Sequence, residues 1–148
     1  MNNKPQRQSG FTLLEVMVVI VILGVMASMV VPRLLESTGK AQTQKAVSDI
    51  AKLEEILDMY KLDNHRYPTT EQGLEALVER PTSSPEPRNY PEEGYLRRLE
   101  VDPWGNPYLY ESPGTNGKVD IYTLGADGEE GGEDADADIG NWNLQDFR

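Results

Sequence analysis

Two hydrophobic patterns follow one another along the first half of the chain. From Phe11 to Val31 the sequence runs for 21 residues with a single charge, at Glu15. At about 1.5 Å per residue, a helix of that length spans the roughly 30 Å hydrocarbon core of a bilayer. Farther along, apolar residues recur at spacings of three and four, which predicts an amphipathic helix packed on the rest of its domain; they are Val47, Ile50, Leu53, Leu57 and Tyr60. Together the patterns predict one long helix from Phe11 to about Leu62.

The second half of the chain is predicted to consist of short elements separated by turns. Thr69 and Gln72 have the spacing of a capping box, which predicts a short helix just after them. The proline-rich segment 81–87 predicts a loop. Two β-prone runs, 108–110 and 119–124, flank turn-forming residues and predict a hairpin. A small antiparallel sheet lying on the long helix makes the predicted fold class α+β.

Acidic residues concentrate near the end of the chain. Between Gly125 and Trp142 seven acids lie among glycines with no basic residue; they are Asp127, Glu129, Glu130, Glu133, Asp134, Asp136 and Asp138. An extended backbone over residues 134–138 would point three of these carboxylates to one side. Like charges that close repel one another unless a cation gathers them or water separates them.

Calcium is the cation that suits such a segment. It takes about six to eight oxygen ligands in flexible geometry, and glycines let a chain curl tightly around an ion. The spacing is not that of an EF-hand, because counting from Asp127 the fifth position is Gly131 and the twelfth is Asp138. Composition alone leaves two interpretations open, a calcium site or a solvated acidic loop.

Composition restricts the remaining function classes. The formal net charge of −11 argues against nucleic acid as a partner, since phosphates require a basic face. The chain has no cysteine and one histidine, His65, so we predict neither a disulfide nor a multi-histidine metal site. No nucleophile lies beside a base, and we predict that the protein is not an enzyme. Trp104 and Trp142 follow turns and are predicted to fill the small core.

The junction before the apolar run carries the first family resemblance. It reads Gly10-Phe11-Thr12-Leu13-Leu14-Glu15, preceded by Lys4 and Arg7 without any acid. This resembles the leader and cleavage motif of type IV pilin-like proteins, whereas a secretory signal has an apolar stretch of only about 7–15 residues and loses it. The resemblance implies cleavage between Gly10 and Phe11 by a prepilin peptidase, N-methylation of Phe11 and retention of the apolar helix. A plain signal anchor is the alternative.

Further segments extend the resemblance along the chain. In order they read Leu-Asp-Met-Tyr-Lys-Leu-Asp-Asn (57–64), Tyr-Pro-Thr-Thr-Glu-Gln-Gly-Leu (67–74), Asp-Pro-Trp-Gly (102–105), Leu-Gly-Ala-Asp-Gly (124–128) and Ala-Asp-Ile-Gly-Asn-Trp (137–142). Together they resemble the major pseudopilins of type II secretion systems. The resemblance implies a long N-terminal helix packed against a short helix and a small antiparallel sheet, with a C-terminal calcium loop. It implies three regions: a leader removed from 1–10, a transmembrane or fibre-core helix at 11–31, and a periplasmic domain at 32–148.

The resemblance also implies a Ca²⁺ ligand set. The most direct matches are the Leu124 carbonyl, Asp127 and Asp138. The remaining candidates are Asp136, the Glu133 side chain and the Glu129 carbonyl.

The resemblance implies that the protein is the major structural subunit of a periplasmic pseudopilus, which would drive secretion of folded proteins across the outer membrane. Its implied partners are other copies of itself, joined through their N-terminal helices, the prepilin peptidase, minor pseudopilins and the inner-membrane secretion platform. Before assembly it would cross the inner membrane once, with a cytoplasmic N-terminus, as the basic flank also predicts. The alternative is a type IV pilin for adhesion or motility, although many such pilins carry a C-terminal cysteine pair that is absent here.

Two residues of the apolar helix keep open interpretations. The Glu15 carboxylate would neutralise the Phe11 amine of a neighbouring subunit, or simply reach the membrane interface. Pro32 removes one helix hydrogen bond, which suits either a helix that bends or locally melts during assembly or a static kink.

Overall fold

The computed structural model describes the backbone of residues 10–148 and the side chains of 10–29 and 38–148. The chain divides into two compact units, Met1–Thr38 and Gly39–Arg148. Apart from Gly10, the predicted leader with its two basic residues lies outside the described residues. The first element is helix α1, Leu13–Asn64, which confirms the predicted long helix. Its assignment continues across Pro32, so the proline does not break it.

The core of the second unit forms on one face of α1. All five positions of the predicted apolar stripe are buried, and Ile50 and Leu57 are fully enclosed. They belong to one hydrophobic cluster with residues of the later elements, including Leu77, Ile121 and Ile139. The spacing of three and four therefore identified the face on which the domain is built.

The segment after α1 begins with the predicted capping contacts. The main-chain N–H of Thr69 donates to the Gln72 side chain over 3.1 Å, and the N–H of Gln72 donates to the Thr69 hydroxyl over 3.2 Å. The helix that follows is a single 3-10 turn, Leu74–Leu77. Gly73, at φ 62°, separates this turn from the capping residues. The predicted short helix is thus present, but its hydrogen bonding is not α-helical.

Three short strands form the sheet: β1 (Leu109–Glu111), β2 (Asp120–Thr123) and β3 (Ile139–Gly140). They lie in the order β1-β2-β3, and both pairings are antiparallel. The first pairing confirms the predicted hairpin. Two further 3-10 turns, Asp134–Asp136 and Leu144–Phe147, flank β3.

Two buried carboxylates hold the turns around this sheet. Asp120 accepts hydrogen bonds from the main-chain N–H groups of Thr115, Asn116 and Gly117 at 2.8 to 3.0 Å. Asp102 accepts from two N–H groups of its own turn and from the hydroxyl of Thr123 on β2. Backbone donors that would otherwise be unpaired are thereby satisfied.

Candidate functional site

The predicted cleavage junction lies just outside the long helix. Gly10 and Phe11 are exposed and precede the first helical residue, Leu13. The main-chain N–H of Glu15 donates to the hydroxyl of Thr12 over 3.2 Å, so Thr12 is the N-cap. Thr12 and Glu15 have the spacing of a capping box, a signal that the sequence contained and we did not predict. The negative charge of Glu15 in this first turn also interacts favourably with the positive end of the helix dipole.

The described apolar run exposes its side chains on every side of the helix. Every large apolar residue from Phe11 to Met29 is between 48% and 83% exposed. A helix that is apolar all round is stable only inside a protein core or a membrane. Over the described residues, none of the helices combines the length and apolar character that crossing a membrane requires.

The acidic loop is closed at its base by main-chain contacts. The N–H of Ala126 donates to the carbonyl of Ala135 over 2.9 Å. A Cβ atom added to Gly125 would lie 2.6 Å from the Asp136 carbonyl carbon, and one added to Gly132 would lie 2.4 Å from the Asp136 oxygen. Both glycines have positive φ. Side chains at these positions would collide with the Asp136 backbone, so the two glycines allow the loop to fold onto it.

One carboxylate oxygen in this loop lacks a partner. Oδ2 of Asp138 accepts a hydrogen bond from the N–H of Gly131 over 2.9 Å. Oδ1 of the same carboxylate is buried and has no hydrogen-bond partner among the described residues. A buried oxygen of a charged group without a partner is costly, because it has lost water and gained nothing. Such an atom marks a place where a cation would fit.

The other predicted ligands are more dispersed. Asp127 accepts from the N–H of Glu129 over 3.1 Å, and Asp127, Glu129, Glu133 and Asp136 are exposed. Residues 134–136 form a 3-10 turn, so the extended backbone that would point three carboxylates to one side is not present there. Across the part of the chain with described side chains, no group of three or more acidic or histidine side chains could hold a metal. The possible metal ligands in the loop are nonetheless all carboxylate and carbonyl oxygens, which are the ligands that Ca²⁺ prefers. A cation held here would need main-chain oxygens, such as the predicted Leu124 and Glu129 carbonyls, beside Asp138.

Two asparagines that we did not predict fix the segment after the loop. The amide of Asn143 donates to the Asp138 carbonyl over 3.0 Å and accepts from the N–H of Gly140 over 2.8 Å. The side chain of Asn141 bonds Ile121 of β2 and Glu54 of α1. Between the two asparagines, Trp142 is 41% exposed, so the prediction that it fills the core is wrong. Its ring packs against that of Tyr122 at an interplanar angle of 56°, with the centroids 5.7 Å apart. The role of Asn141 depends on partners that only the fold brings together, whereas Asn143 bonds residues three and five positions before it.

A polar groove of about 380 Å³ lies beside this segment. Its lining includes Glu54 and Asp58 of α1 together with Tyr67 and Asn141. The hydroxyl of Tyr67 donates to Asp58 over 2.6 Å. Burial, followed by this hydrogen bond to a carboxylate, raises the pKa of Tyr67 to about 12.

The junction and fold match known proteins at two levels. The prokaryotic N-terminal methylation motif matches residues 5–31. Residues 33–142 match the family described as type II secretion system (T2SS), protein G. The chain therefore belongs to the type II secretion system protein G family.

Individual relatives align with this chain over nearly its whole length. The type II secretion system core protein G of Vibrio cholerae serotype O1 is 67% identical over 145 residues, covering 98% of this chain and 99% of the relative. The protein of the same name from Escherichia coli K12 is 61% identical over 138 residues, covering 93% of each. The crystal structure of the major pseudopilin from the type 2 secretion system of enterohaemorrhagic E. coli superposes with a TM-score of 0.67 at 55% identity. It covers 77% of this chain and 97% of that one.

Proposed function

We propose that this chain is the major structural subunit of a pseudopilus that drives type II secretion of folded proteins. The observation that carries the proposal is the all-round exposure of the apolar helix directly behind an accessible Gly10–Phe11 junction. Such a helix is satisfied either by lipid or by the same helices of other subunits. Membership of the protein G family favours secretion over the adhesion or motility of a type IV pilin. The role is that of a structural subunit rather than an enzyme.

Processing precedes assembly in this proposal. A prepilin peptidase cuts the exposed bond after Gly10, and the new amine of Phe11 is methylated. Before assembly the subunit sits in the inner membrane, with its C-terminal domain in the periplasm. The support is the 21-residue apolar run of the sequence, which extends to Val31, beyond the side chains that the structure describes. Other copies, the minor pseudopilins and the inner-membrane platform are the partners.

Within the fibre, Glu15 neutralises the Phe11 amine of a neighbouring subunit. The capping contact between Glu15 and Thr12 offers a second explanation for a glutamate at position 15. Two variants distinguish capping from pairing with the Phe11 amine. Glu15→Gln keeps a side chain suited to capping but removes the charge, whereas Thr12→Ala removes the cap and keeps the charge. We expect Glu15→Gln to be processed normally yet fail to enter fibres, while Thr12→Ala assembles. Wild-type assembly of Glu15→Gln would exclude the charge pairing.

A calcium ion in the acidic loop stabilises the folded subunit. Asp138, with its unpartnered Oδ1, is the anchor, and the Leu124 and Glu129 carbonyls are the first additional ligands. The dispersed side chains of Asp127, Glu133 and Asp136 would have to close around the ion to complete the set. The ion supplies positive charge that offsets repulsion among the acids. Binding to the native state alone would stabilise it by about 2.7 kcal/mol at a hundredfold excess over Kd.

Thermal melts test the calcium site. We expect millimolar Ca²⁺ to raise the Tm well above that in chelator, and Mg²⁺ to have little effect because it demands tighter octahedral geometry. Asp138→Asn should abolish the rise. Asp146→Asn, an exposed acid of the last 3-10 turn, is the matched control and should retain it. An equal Tm with calcium and chelator in the wild type would mean that the acids are merely solvated.

A further inference from the structure

We propose that Asn141 couples cation binding in the acidic loop to helix α1 through its hydrogen bond to Glu54. This inference rests on the calcium site of the proposed function. Glu54 lies 87 positions before Asn141 in the chain, on the wall of the polar groove. The coupling therefore connects the loop to a surface made by a different element.

The path from the loop to Asn141 is short and well held. Asp138 belongs to the loop, and β3 occupies the next two positions. Ile139 and Gly140 pair with Thr123 and Tyr122 of β2. The Asn143 amide bridges the carbonyl of Asp138 and the N–H of Gly140. A displacement of Asp138 is therefore transmitted through β3 rather than absorbed by a free hinge.

Both N–H donors and the oxygen of the Asn141 amide are engaged at the end of this path. Its Oδ1 accepts from the N–H of Ile121 over 3.1 Å, and its Nδ2 donates to the Val119 carbonyl and to Oε1 of Glu54, each over 3.0 Å. With two N–H bonds on Nδ2, each acceptor receives its own proton. Rotating the amide by half a turn would set its oxygen against both acceptors. One orientation of Asn141 thus satisfies strand β2 and helix α1 together.

Charge in the loop explains the direction of the coupling. Without a cation, the unpartnered Oδ1 of Asp138 and the surrounding acids favour withdrawal of Asp138 towards water. Withdrawal pulls on β3 and moves Asn141 away from Glu54. The cation-bound loop keeps the contact in place. By linkage, the contact must then strengthen cation binding by the same factor as the cation strengthens the contact.

The test compares two variants of Glu54 that carry equal charge. Glu54→Gln retains an acceptor oxygen for Asn141, and Glu54→Met has similar length without one. Because both remove the same negative charge, their difference excludes long-range attraction between Glu54 and the ion. Calorimetric titration of the full chain in detergent with Ca²⁺ should give a Kd about fivefold or more higher for Glu54→Met than for Glu54→Gln. Equal Kd values for the two variants would overturn the coupling.

A second pair approaches the contact from the other side. Asn141→Ala should weaken Ca²⁺ binding at least as much as Glu54→Met. Asn106→Ala removes an exposed asparagine whose described hydrogen bonds are made by its main chain, and it should bind as the wild type does. Circular dichroism at the titration temperature establishes that each variant is folded. If Asn141→Ala is unfolded, the comparison of the two Glu54 variants alone tests the coupling.

Failure of the coupling and failure of the calcium site give different results. A wild-type chain that binds no Ca²⁺ overturns both. If the wild type binds Ca²⁺ and the two Glu54 variants bind it with equal Kd values, the coupling is overturned. The calcium site itself is then left intact.

Discussion

The hydroxyl of Tyr110 on β1 donates to the main-chain carbonyl of Pro68 over 2.9 Å. Both residues are buried, and 42 positions separate them in the chain. The contact ties the sheet to the segment that follows helix α1. It does so without a disulfide, in a chain that contains no cysteine.

Removing this hydroxyl should destabilise the domain. Tyr110→Phe leaves the Pro68 carbonyl buried without a partner, which typically costs about 1–3 kcal/mol. Urea unfolding of residues 39–148 measures the loss. Tyr122→Phe is the matched control, because its hydroxyl reaches Glu111 only at 3.4 Å from a half-buried position. That control should stay within about 0.5 kcal/mol of wild type.

Alkaline pH should reduce stability through the buried tyrosines. Burial raises the pKa of Tyr110 to about 12, and burial with the Asp58 hydrogen bond raises that of Tyr67 to about 12. Since these values exceed the unfolded value of about 10, the unfolded state releases protons first. The stabilisation is complete below pH 10 and is lost as pH rises towards and through about 12. Urea midpoints measured from pH 8 to 12 should be flat and then fall, and Tyr110→Phe should weaken the fall.

Asp120 should tolerate almost no change of its charge. Its carboxylate is 2% exposed and accepts four hydrogen bonds, including one from the Asn116 side chain. Asp120→Asn turns one acceptor into a donor that faces other donors, and we expect a loss of about 2–3 kcal/mol. Amide hydrogen exchange at residues 115–117 should accelerate in the same variant. Unchanged exchange there would mean that the loop is held by something else.

Two glycines of the acidic loop allow a controlled test of its closure. Gly128 and Gly132 both have positive φ, so alanine is strained by about 1 kcal/mol at either position. An added Cβ meets nothing within 4 Å at Gly128 but lies 2.4 Å from the Asp136 oxygen at Gly132. We expect Gly132→Ala to lose most of the calcium-dependent rise in Tm and Gly128→Ala to keep it. Equal behaviour would show that closure onto Asp136 is unnecessary for cation binding.

The elements predictable from sequence are those with a period or a turn signature. The stripe of α1 repeated over five positions, and the hairpin was bounded by β-prone runs around a turn-rich loop. Strand β3 has two residues and carries no period, so nothing in the sequence distinguished it from loop. Its existence depends on β2 offering a free edge.

The candidate site was less accessible to sequence reasoning. Family resemblance supplied the expected ligands, and composition located the loop. The sequence did not show whether the backbone at 134–138 is extended, and in the structure the chain turns sharply there, with Asp134 itself at φ 55°. The bridging role of Asn141 depends on two partners distant in the chain, Glu54 and Val119, and only the folded arrangement brings them together.

The N-cap at Thr12 has a consequence for the proposed cleavage after Gly10. The helix begins at Leu13, and its capping hydroxyl lies on the mature side of the Gly10–Phe11 bond. Cutting that bond, as proposed, would therefore alter none of the hydrogen bonds described in the first turn of the helix. It would create an ammonium group two residues from the positive end of a helix dipole, where cations are disfavoured. Processing would thus keep this first turn as it is and install an electrostatic mismatch, which an acid from elsewhere can relieve.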